Sequence, residues 1–144
     1  MAEVAKVLLN QFRENFPTVG VSIVVFHNER ALVLKRIDPP TIWWVPSGFV
    51  ERGEDLAEAA KRELVEETGI KVEQVSMVGV FNLVFPEFHA VDIAFTAKVN
   101  SDFVTPNSEF KEYRWIQVDN LANLHHYVVD EIKTAYDLVR RIAG

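Results

Sequence analysis

The sequence contains no cysteine and no long apolar run, and these absences exclude several classes of protein. Without cysteine among its 144 residues, the chain has no disulfide, zinc–thiolate site or thiol nucleophile. No apolar run approaches the length of a membrane span, so we expect no membrane partner. Residues 1–16 alternate charged with apolar positions and lack the unbroken apolar segment of a signal peptide. The sequence therefore predicts a cytoplasmic protein.

The chain also has little positive charge. It carries 15 Lys and Arg against 21 Asp and Glu, and its formal net charge is −6 at pH 7. Nucleic-acid binding relies on basic contacts to phosphates, so we expect no nucleic-acid partner. Apolar residues make up 49%, as in globular proteins, and the length suits a single core. We predict one domain over residues 1–144, with residues 1–16 as an N-terminal helical extension.

Hydrophobic periodicity predicts an alternation of strands and helices. The expected strands cover residues 19–26, 31–36, 75–85, 90–98 and 113–118, with a short extended segment at 43–46 after a chain break at Asp38-Pro39-Pro40. The expected helices are the N-terminal one, one between Asp55 and Gly69, and one over 127–142. This order predicts an α/β protein with helices on both faces of a mixed sheet.

The middle helix carries the clearest local signals. Asp55 and Glu58 have the spacing of a capping box, and Gly69 stands where a left-handed residue ends a helix. A buried stripe is predicted at Leu56, Ala60 and Leu64. The acidic residues Glu63, Glu66 and Glu67 fall together on the helix surface. Their charges repel one another, and a hard divalent cation with oxygen ligands would offset that repulsion.

The whole segment follows the pattern G-x5-E-x7-R-E-U-x-E-E-x-G-U, where U is aliphatic. The matching residues are Gly48, Glu54, Arg62, Glu63, Leu64, Glu66, Glu67, Gly69 and Ile70. This pattern is the Nudix box, and the chain resembles the Nudix hydrolase family over roughly residues 19–142. The resemblance implies an α/β/α sandwich with a mixed β-sheet. It also implies Mg²⁺-dependent hydrolysis of a pyrophosphate linkage in a small nucleotide-derived substrate, with Mn²⁺ as a substitute.

The resemblance assigns roles to individual residues of the box. The metal ligands would be the carbonyl of Gly48 and the carboxylates of Glu63, Glu66 and Glu67. Arg62 would orient Glu63 through a bidentate contact. Glu54, one loop earlier, would add an outer ligand or a hydrogen bond on the substrate side.

The general base is expected outside the box. Family members place a glutamate on a loop before a strand similar to Glu-x-x-Trp, and two residues fit here. Glu109 lies six residues before Trp115 and is our candidate for catalysis, whereas Glu112 is expected to be a structural partner. For both, an exposed surface glutamate is the simpler interpretation.

Several residues outside the box are candidates for substrate binding. Arg36, at a strand end, is a candidate for holding phosphates. Trp44 is a candidate for stacking on a nucleobase; its neighbour Trp43 should face the other way, because adjacent strand residues alternate in direction. His125 and His126 lie before the last helix, where a histidine is usually a cap or a surface residue and less often catalytic.

Three substrate types remain open. We expect a nucleoside diphosphate linked to another group, as in an NDP-sugar or ADP-ribose; Pro86, sixteen residues after Ile70, is similar to a proline of ADP-ribose pyrophosphatases. Residues 34–40, 44–46 and 112–115 resemble GDP-mannose mannosyl hydrolases, in which a histidine base directs water to the sugar carbon. The small size and intact box also fit a nucleoside triphosphate pyrophosphohydrolase.

A non-catalytic Nudix module that binds nucleotides is a further alternative, and it usually loses a box glutamate or gains a basic face. Neither change is present in this sequence, so we predict an enzyme. The apolar stripe formed by Val4, Val7, Leu8 and Phe12 predicts a homodimer, although the stripe could pack on its own sheet instead.

Overall fold

The computed structural model describes residues 2–37 and 41–143, so the predicted chain break at Asp38-Pro39-Pro40 lies outside the described residues. The elements are, in chain order, α1 (Ala2–Asn15), β1 (Thr18–His27), β2 (Arg30–Arg36), β3 (Trp43–Trp44), β4 (Ser47–Phe49), α2 (Leu56–Thr68), β5 (Ser76–Val84), β6 (His89–Lys98), β7 (Phe110–Gln117) and α3 (His126–Ala143). None of the helices described here is both long and apolar enough to cross a membrane.

The strands form a mixed sheet that divides into two branches. In one branch β1 pairs in parallel with β6 and antiparallel with β4, and β5 pairs antiparallel with β6. In the other branch β2 pairs antiparallel with β3 and β7. The branches meet at the hairpin between β1 and β2, where Phe26 pairs with Ala31 and His27 with Arg30. The predicted mixed sheet is confirmed.

Helices cover the sheet on both faces because β1 is apolar on both of its sides. Val21, Ile23 and Val25 pack in a core with α2, whereas Val24 and Phe26 pack in a second core with α3. Alternate residues of a strand point to opposite faces, so β1 separates the two cores. The α/β/α sandwich expected from the sequence is confirmed.

Several element boundaries differ from the expectation. β7 begins at Phe110, three residues earlier than the predicted residue 113, because Phe110 pairs with Arg36 across a register shift in β2. The separate strand β4 was not predicted, and it forms because residues 47–49 pair with β1. β6 lies between β1 and β5, so its polar residues Asp92 and Thr96 are buried too.

The extension differs from the rest of the chain. No residue of α1 is buried, and its side chains Val4, Val7, Leu8 and Phe12 are 50–60% exposed. The aromatic rings of Phe12 and Phe16 contact each other at the end of the helix. The predicted helix is therefore present, with its apolar stripe unburied.

Candidate active site

The site is built on α2, whose ends follow from local sequence. Asp55 is the N-cap, and its Oδ2 accepts a hydrogen bond from the Glu58 N–H at 3.2 Å. Gly69 adopts φ 73° and donates its N–H to the carbonyl of Val65, which confirms the predicted helix end. The capping box is only half formed, because the carboxylate of Glu58 contacts Lys61 Nζ at 3.3 Å. Burial of Ala60 and Leu64 against the sheet turns the acidic residues toward the loops.

Arg62 organises the carboxylates at the start of the site. Its Nε and Nη2 donate to the two oxygens of Glu54 at 2.6 and 3.0 Å. Its Nη1 donates to Glu63 at 2.9 Å and to Glu66 at 3.2 Å. The predicted bidentate contact of Arg62 with Glu63 is therefore wrong: the fork geometry of the guanidinium is used on Glu54, which the bend before the helix brings alongside.

This pairing has an electrostatic consequence for Glu54. The hydrogen bonds from Arg62, together with the N–H of Glu51, lower the pKa of Glu54 to about 2. The Arg62 guanidinium, surrounded by Glu54, Glu63 and Glu66, has its pKa raised above its ordinary value. Both Glu54 oxygens contact protein donors, so in this structure Glu54 holds Arg62.

Glu67 is the most deeply buried of the acidic residues of α2. Only 4% of the residue is exposed, and its Oε1 accepts a hydrogen bond from the Ser47 N–H at 2.8 Å. Burial, together with the nearby charges of Glu63 and Glu109, raises the pKa of Glu67 to about 8, against the opposing effects of the Ser47 N–H and Arg36. Loss of water disfavours the charged form of a carboxyl group, so an ionised Glu67 needs a cation.

Glu63 lies directly against β4. A Cβ atom placed on Gly48 would lie 2.1 Å from the carboxyl carbon of Glu63, so only glycine leaves room for this carboxylate. Burial also raises the pKa of Glu63, against the opposing hydrogen bond from Arg62. Gly48 is fixed in the sheet by its pairing with Val21 of β1.

The carboxylates do not form a preformed metal site: within residues 2–37 and 41–143, no three acidic or histidine side chains converge on one point. The guanidinium of Arg62 lies between Glu63 and Glu66, and Ser47 holds Glu67. The donors nevertheless fit a hard divalent cation, because they are oxygens. Moreover, burial makes ionisation of Glu63 and Glu67 unfavourable without such a charge.

The loop before β7 brings Glu109 to the same place. Glu109 Oε2 forms an ion pair with Arg36 Nη2 at 3.3 Å, and its charge acts on both Glu63 and Glu67. Glu112 lies on β7 beside Arg114, at 3.7 Å. Glu109 and Glu112 therefore have different surroundings.

The two tryptophans of β3 have different partners. The Trp43 ring receives the guanidinium of Arg114 at 4.7 Å. The Trp44 ring lies 5.9 Å from Phe85 and 6.0 Å from His125. This agrees with the expected alternation, and it leaves Trp44 among aromatic residues at the start of α3.

His125 and His126 join this aromatic group, with ring centroids 4.4 Å apart. The Nδ1 of His125 accepts a hydrogen bond from the Tyr127 N–H at 3.2 Å, as a helix cap does. Burial and the neighbouring His126 lower the pKa of His125. Among the hydrogen bonds and ion pairs of the described residues, neither histidine contacts a carboxylate of the box.

One residue of the site was missed from the sequence. Asn107 donates from Nδ2 to the Glu66 carbonyl at 3.0 Å and accepts at Oδ1 from the Glu109 N–H at 2.9 Å. An asparagine two residues before Glu109 is a signal for a turn of this kind.

Comparison with known proteins gives consistent relatives. The NUDIX domain profile matches residues 16–138. An RNA pyrophosphohydrolase of Pelagibacter ubique is 33% identical over 126 residues, covering 73% of this chain and 79% of that protein. An ADP-ribose pyrophosphatase of Methanocaldococcus jannaschii is 31% identical over 112 residues, covering 75% of this chain and 66% of the relative.

Comparison with solved structures finds the same fold in another protein. The crystal structure of a MutT protein from Methanosarcina mazei Go1 superposes with a TM-score of 0.75 at 26% identity, over 85% of this chain and 96% of that one. The segment that matches the domain profile begins at residue 16, just after α1, and contains every site residue described above.

Proposed function

The chain belongs to the NUDIX family and is a pyrophosphohydrolase, and we propose that its substrate is a nucleoside diphosphate linked to a further group, such as ADP-ribose or an NDP-sugar. Water would attack one phosphorus of the pyrophosphate and release a nucleoside monophosphate. The main support is the intact acidic set around Glu63 and Glu67, which suits a phosphate-bound cation. The relative from Methanocaldococcus jannaschii is named an ADP-ribose pyrophosphatase.

Nudix hydrolases generally use divalent metal ions, and a bound divalent cation supplies charge neutralisation at phosphate oxygens and a lower pKa for water. We propose Mg²⁺, with Mn²⁺ as a substitute. The residues that would hold it are Glu63, Glu66 and Glu67, with the carbonyl of Gly48. Arg62 would keep Glu63 and Glu66 apart and oriented.

Glu109 is proposed as the general base. Its carboxylate is exposed beside Arg36, so it is open to solvent water and to a phosphate that Arg36 would bind. Glu109 would take a proton from the attacking water while the water oxygen forms a bond to phosphorus. The bond between that phosphorus and the bridging oxygen would break at the same time. Substrate phosphate on Arg36 would compete for the ion pair and leave Glu109 available for this transfer.

The aromatic group offers a place for the nucleobase. Trp44, Phe85 and His125 lie within 6.0 Å of one another by ring centroid. Base–aromatic stacking contributes roughly 1–3 kcal/mol per base. We propose that Trp44 stacks on the base and that His125 and His126 border it, without a role in proton transfer.

Hydrolysis in ¹⁸O-labelled water tests the reaction. Purified protein is incubated with Mg²⁺ and, in separate reactions, with ADP-ribose, nucleotide sugars, nucleoside triphosphates or a triphosphorylated RNA oligonucleotide. The masses of the products are measured by mass spectrometry. Label in the phosphate of a nucleoside monophosphate from ADP-ribose or an NDP-sugar supports the proposal. Label only in a released sugar would establish attack at carbon, as in the mannosyl hydrolases.

The panel also distinguishes the other substrates. Exclusive cleavage of nucleoside triphosphates would support the triphosphate alternative. Cleavage of the RNA alone would match the name of the Pelagibacter ubique relative and refute our expectation of no nucleic-acid substrate.

Glu67→Gln tests the metal assignment. It keeps the shape of the side chain and removes the charge needed by a hard cation, so activity should fall by orders of magnitude. Equal activity of this variant, or full activity in excess chelator, would contradict the metal assignment.

We also propose that the whole chain is a single Nudix domain located in the cytoplasm, and that it forms a homodimer through α1. The support for the dimer is the exposed apolar stripe of this helix.

A further inference from the structure

We propose that Asn107 is a positioning residue for hydrolysis: it fastens the loop carrying Glu109 to the end of α2, so that the Glu109 carboxylate faces Glu63 and Glu67. The inference rests on the proposed role of Glu109 as the base. Nothing in the Nudix box specifies this residue, which lies 38 positions after Gly69.

The loop binds the free carbonyls at the C-terminal end of α2. The last carbonyls of a helix have no partner within the helix. Here the loop supplies partners to consecutive ones: Asn107 Nδ2 to Glu66 O at 3.0 Å, Asn107 N to Glu67 O at 3.3 Å, and Thr105 N to Thr68 O at 2.9 Å. The loop is therefore hydrogen-bonded to the last turn of α2, the turn that carries Glu66 and Glu67.

The other end of the Asn107 side chain holds the base itself. Its Oδ1 accepts the N–H of Glu109 at 2.9 Å, while the carbonyl of Glu109 accepts the N–H of Ile37 at 2.9 Å. The backbone of Glu109 is thus fixed on both sides, by Asn107 and by Ile37, the residue that follows β2. The ion pair with Arg36 is exposed, and exposed ion pairs contribute little, so the backbone contacts determine where Glu109 lies.

Only a primary amide performs both tasks at this position. The Asn side chain presents a donor and an acceptor together, one for Glu66 O and the other for Glu109 N. An aspartate would keep the acceptor, lose the donor, and add negative charge beside Glu66 and Glu67. Alanine would lose both side-chain bonds and keep the backbone bond of Asn107 to Glu67.

The kinetic test is a double-mutant cycle on the full chain. We compare Asn107→Ala, Glu109→Gln and the double variant, with Ser108→Ala as the control from the same exposed loop. A misplaced base lowers kcat with little change in KM, and we expect a loss of about 10-fold or more for Asn107→Ala. In the Glu109→Gln background the same change should have almost no further effect, since the two act through one group. Ser108→Ala should retain normal turnover.

A structural readout does not depend on metal or activity. In the metal-free protein, amide hydrogen exchange at Glu109 should accelerate in Asn107→Ala and remain unchanged in Ser108→Ala. Normal kcat of Asn107→Ala beside an impaired Glu109→Gln would refute the inference alone. An equal loss from Asn107→Ala in both backgrounds would also refute it, because Asn107 would then act on α2. Full turnover of Glu109→Gln would refute the role of Glu109 and the inference with it.

Discussion

Two glutamates of the site have opposite electrostatic surroundings, although both belong to the box. Arg62 lowers the pKa of Glu54 to about 2, whereas burial raises the pKa of Glu67 to about 8. The arginine charge is therefore used mainly at the entrance to α2. Among the described residues, the carboxylate of Glu67 has only the Ser47 N–H as a hydrogen-bond partner. This asymmetry identifies Glu67 as the carboxylate with most to gain from a bound cation.

Gly48 provides the first prediction at this scale. Gly48→Ala would place a Cβ atom 2.1 Å from the carboxyl carbon of Glu63, so Glu63 must move. We expect kcat to fall about 100-fold or more, as when catalytic geometry shifts by an ångström. Steady-state kinetics with circular dichroism measures this. Gly79→Ala is the control, since a Cβ there meets only Phe81, at 3.9 Å. A fully active Gly48→Ala would show that the position of Glu63 is not critical.

Glu109 provides the second prediction. Glu109→Gln should lower kcat roughly 10²–10⁴-fold, the usual cost of losing a general base. Glu112→Gln should be nearly normal, because Glu112 contacts Arg114 on β7. Replacement of both His125 and His126 by Gln should weaken substrate binding more than turnover. An essential histidine pair beside a dispensable Glu109 would favour attack at the sugar carbon and contradict the proposed mechanism.

At the scale of helices and strands, the sequence predicted the ends that depend on residues close by in the chain. The ends of α2 follow from Asp55 and Gly69, which act within a few residues of themselves. The start of β7 depends on pairing of Phe110 with Arg36, a partner distant in sequence. The same holds for β4, which exists through its contact with β1. Local patterns contain no information on such pairings.

The site divides in the same way. The box gave the candidate carboxylates, and the structure brings Glu63, Glu67 and Glu109 into one electrostatic group. The box did not show that Arg62 would bind Glu54, because the loop between β4 and α2 has to bend to bring Glu54 to Arg62. The roles assigned to these residues stay predictions.

The packing of α3 yields a prediction on pH. Glu131 of α3 is completely buried, and the hydroxyl of Ser22 of β1 lies 2.7 Å from Asp92 Oδ2 of β6 and 3.1 Å from Glu131 Oε2. Because this hydroxyl has one proton, it donates to one of the two carboxyl groups at a time. Within residues 2–37 and 41–143, the Oε1 of Glu131 has no hydrogen-bond partner. Burial and the adjoining Asp92 raise the pKa of Glu131 well above 4.5. The native state therefore retains a proton that the unfolded chain releases once the pH exceeds the unfolded value.

This difference makes stability fall as the pH rises from about 4.5 toward the native pKa of Glu131. Glu131→Gln removes the titration, so the free energy of unfolding should decline less with pH than in the parent protein. Urea titrations of the metal-free proteins across this range measure the effect. Asp137→Asn, at an exposed position of the same helix, should leave the parent's pH dependence intact. A parallel decline in Glu131→Gln would exclude Glu131 as the source.

At the scale of the whole molecule, one layer of the sandwich is incomplete. The β5 residues Met77, Val80 and Val84 lie on the same face of the sheet as α2, yet they are 53–65% exposed. Met77 and Val80 pair with Phe95 and Ile93 of β6, which belong to the α2 core. In the part of the chain that the structure describes, this apolar strip of sheet has no helix over it, and the apolar face of α1 has no sheet beneath it. Exposed apolar patches of this kind mark interaction surfaces.

Because both unpaired faces belong to one chain, a second copy is the partner that satisfies them together. We predict a homodimer in which α1 of one copy packs on β5 of the other, a twofold arrangement common among oligomers. Light scattering after size exclusion, at micromolar concentration, should give twice the chain mass of 16.4 kDa. Leu8→Glu and Val80→Glu should each give the monomer mass, because a charge buried in an apolar interface is costly. Lys6→Glu, which places a negative charge on the opposite face of α1, should leave the dimer intact. Dissociation by Leu8→Glu alone would mean that α1 pairs with α1, and a monomeric parent protein would refute the homodimer.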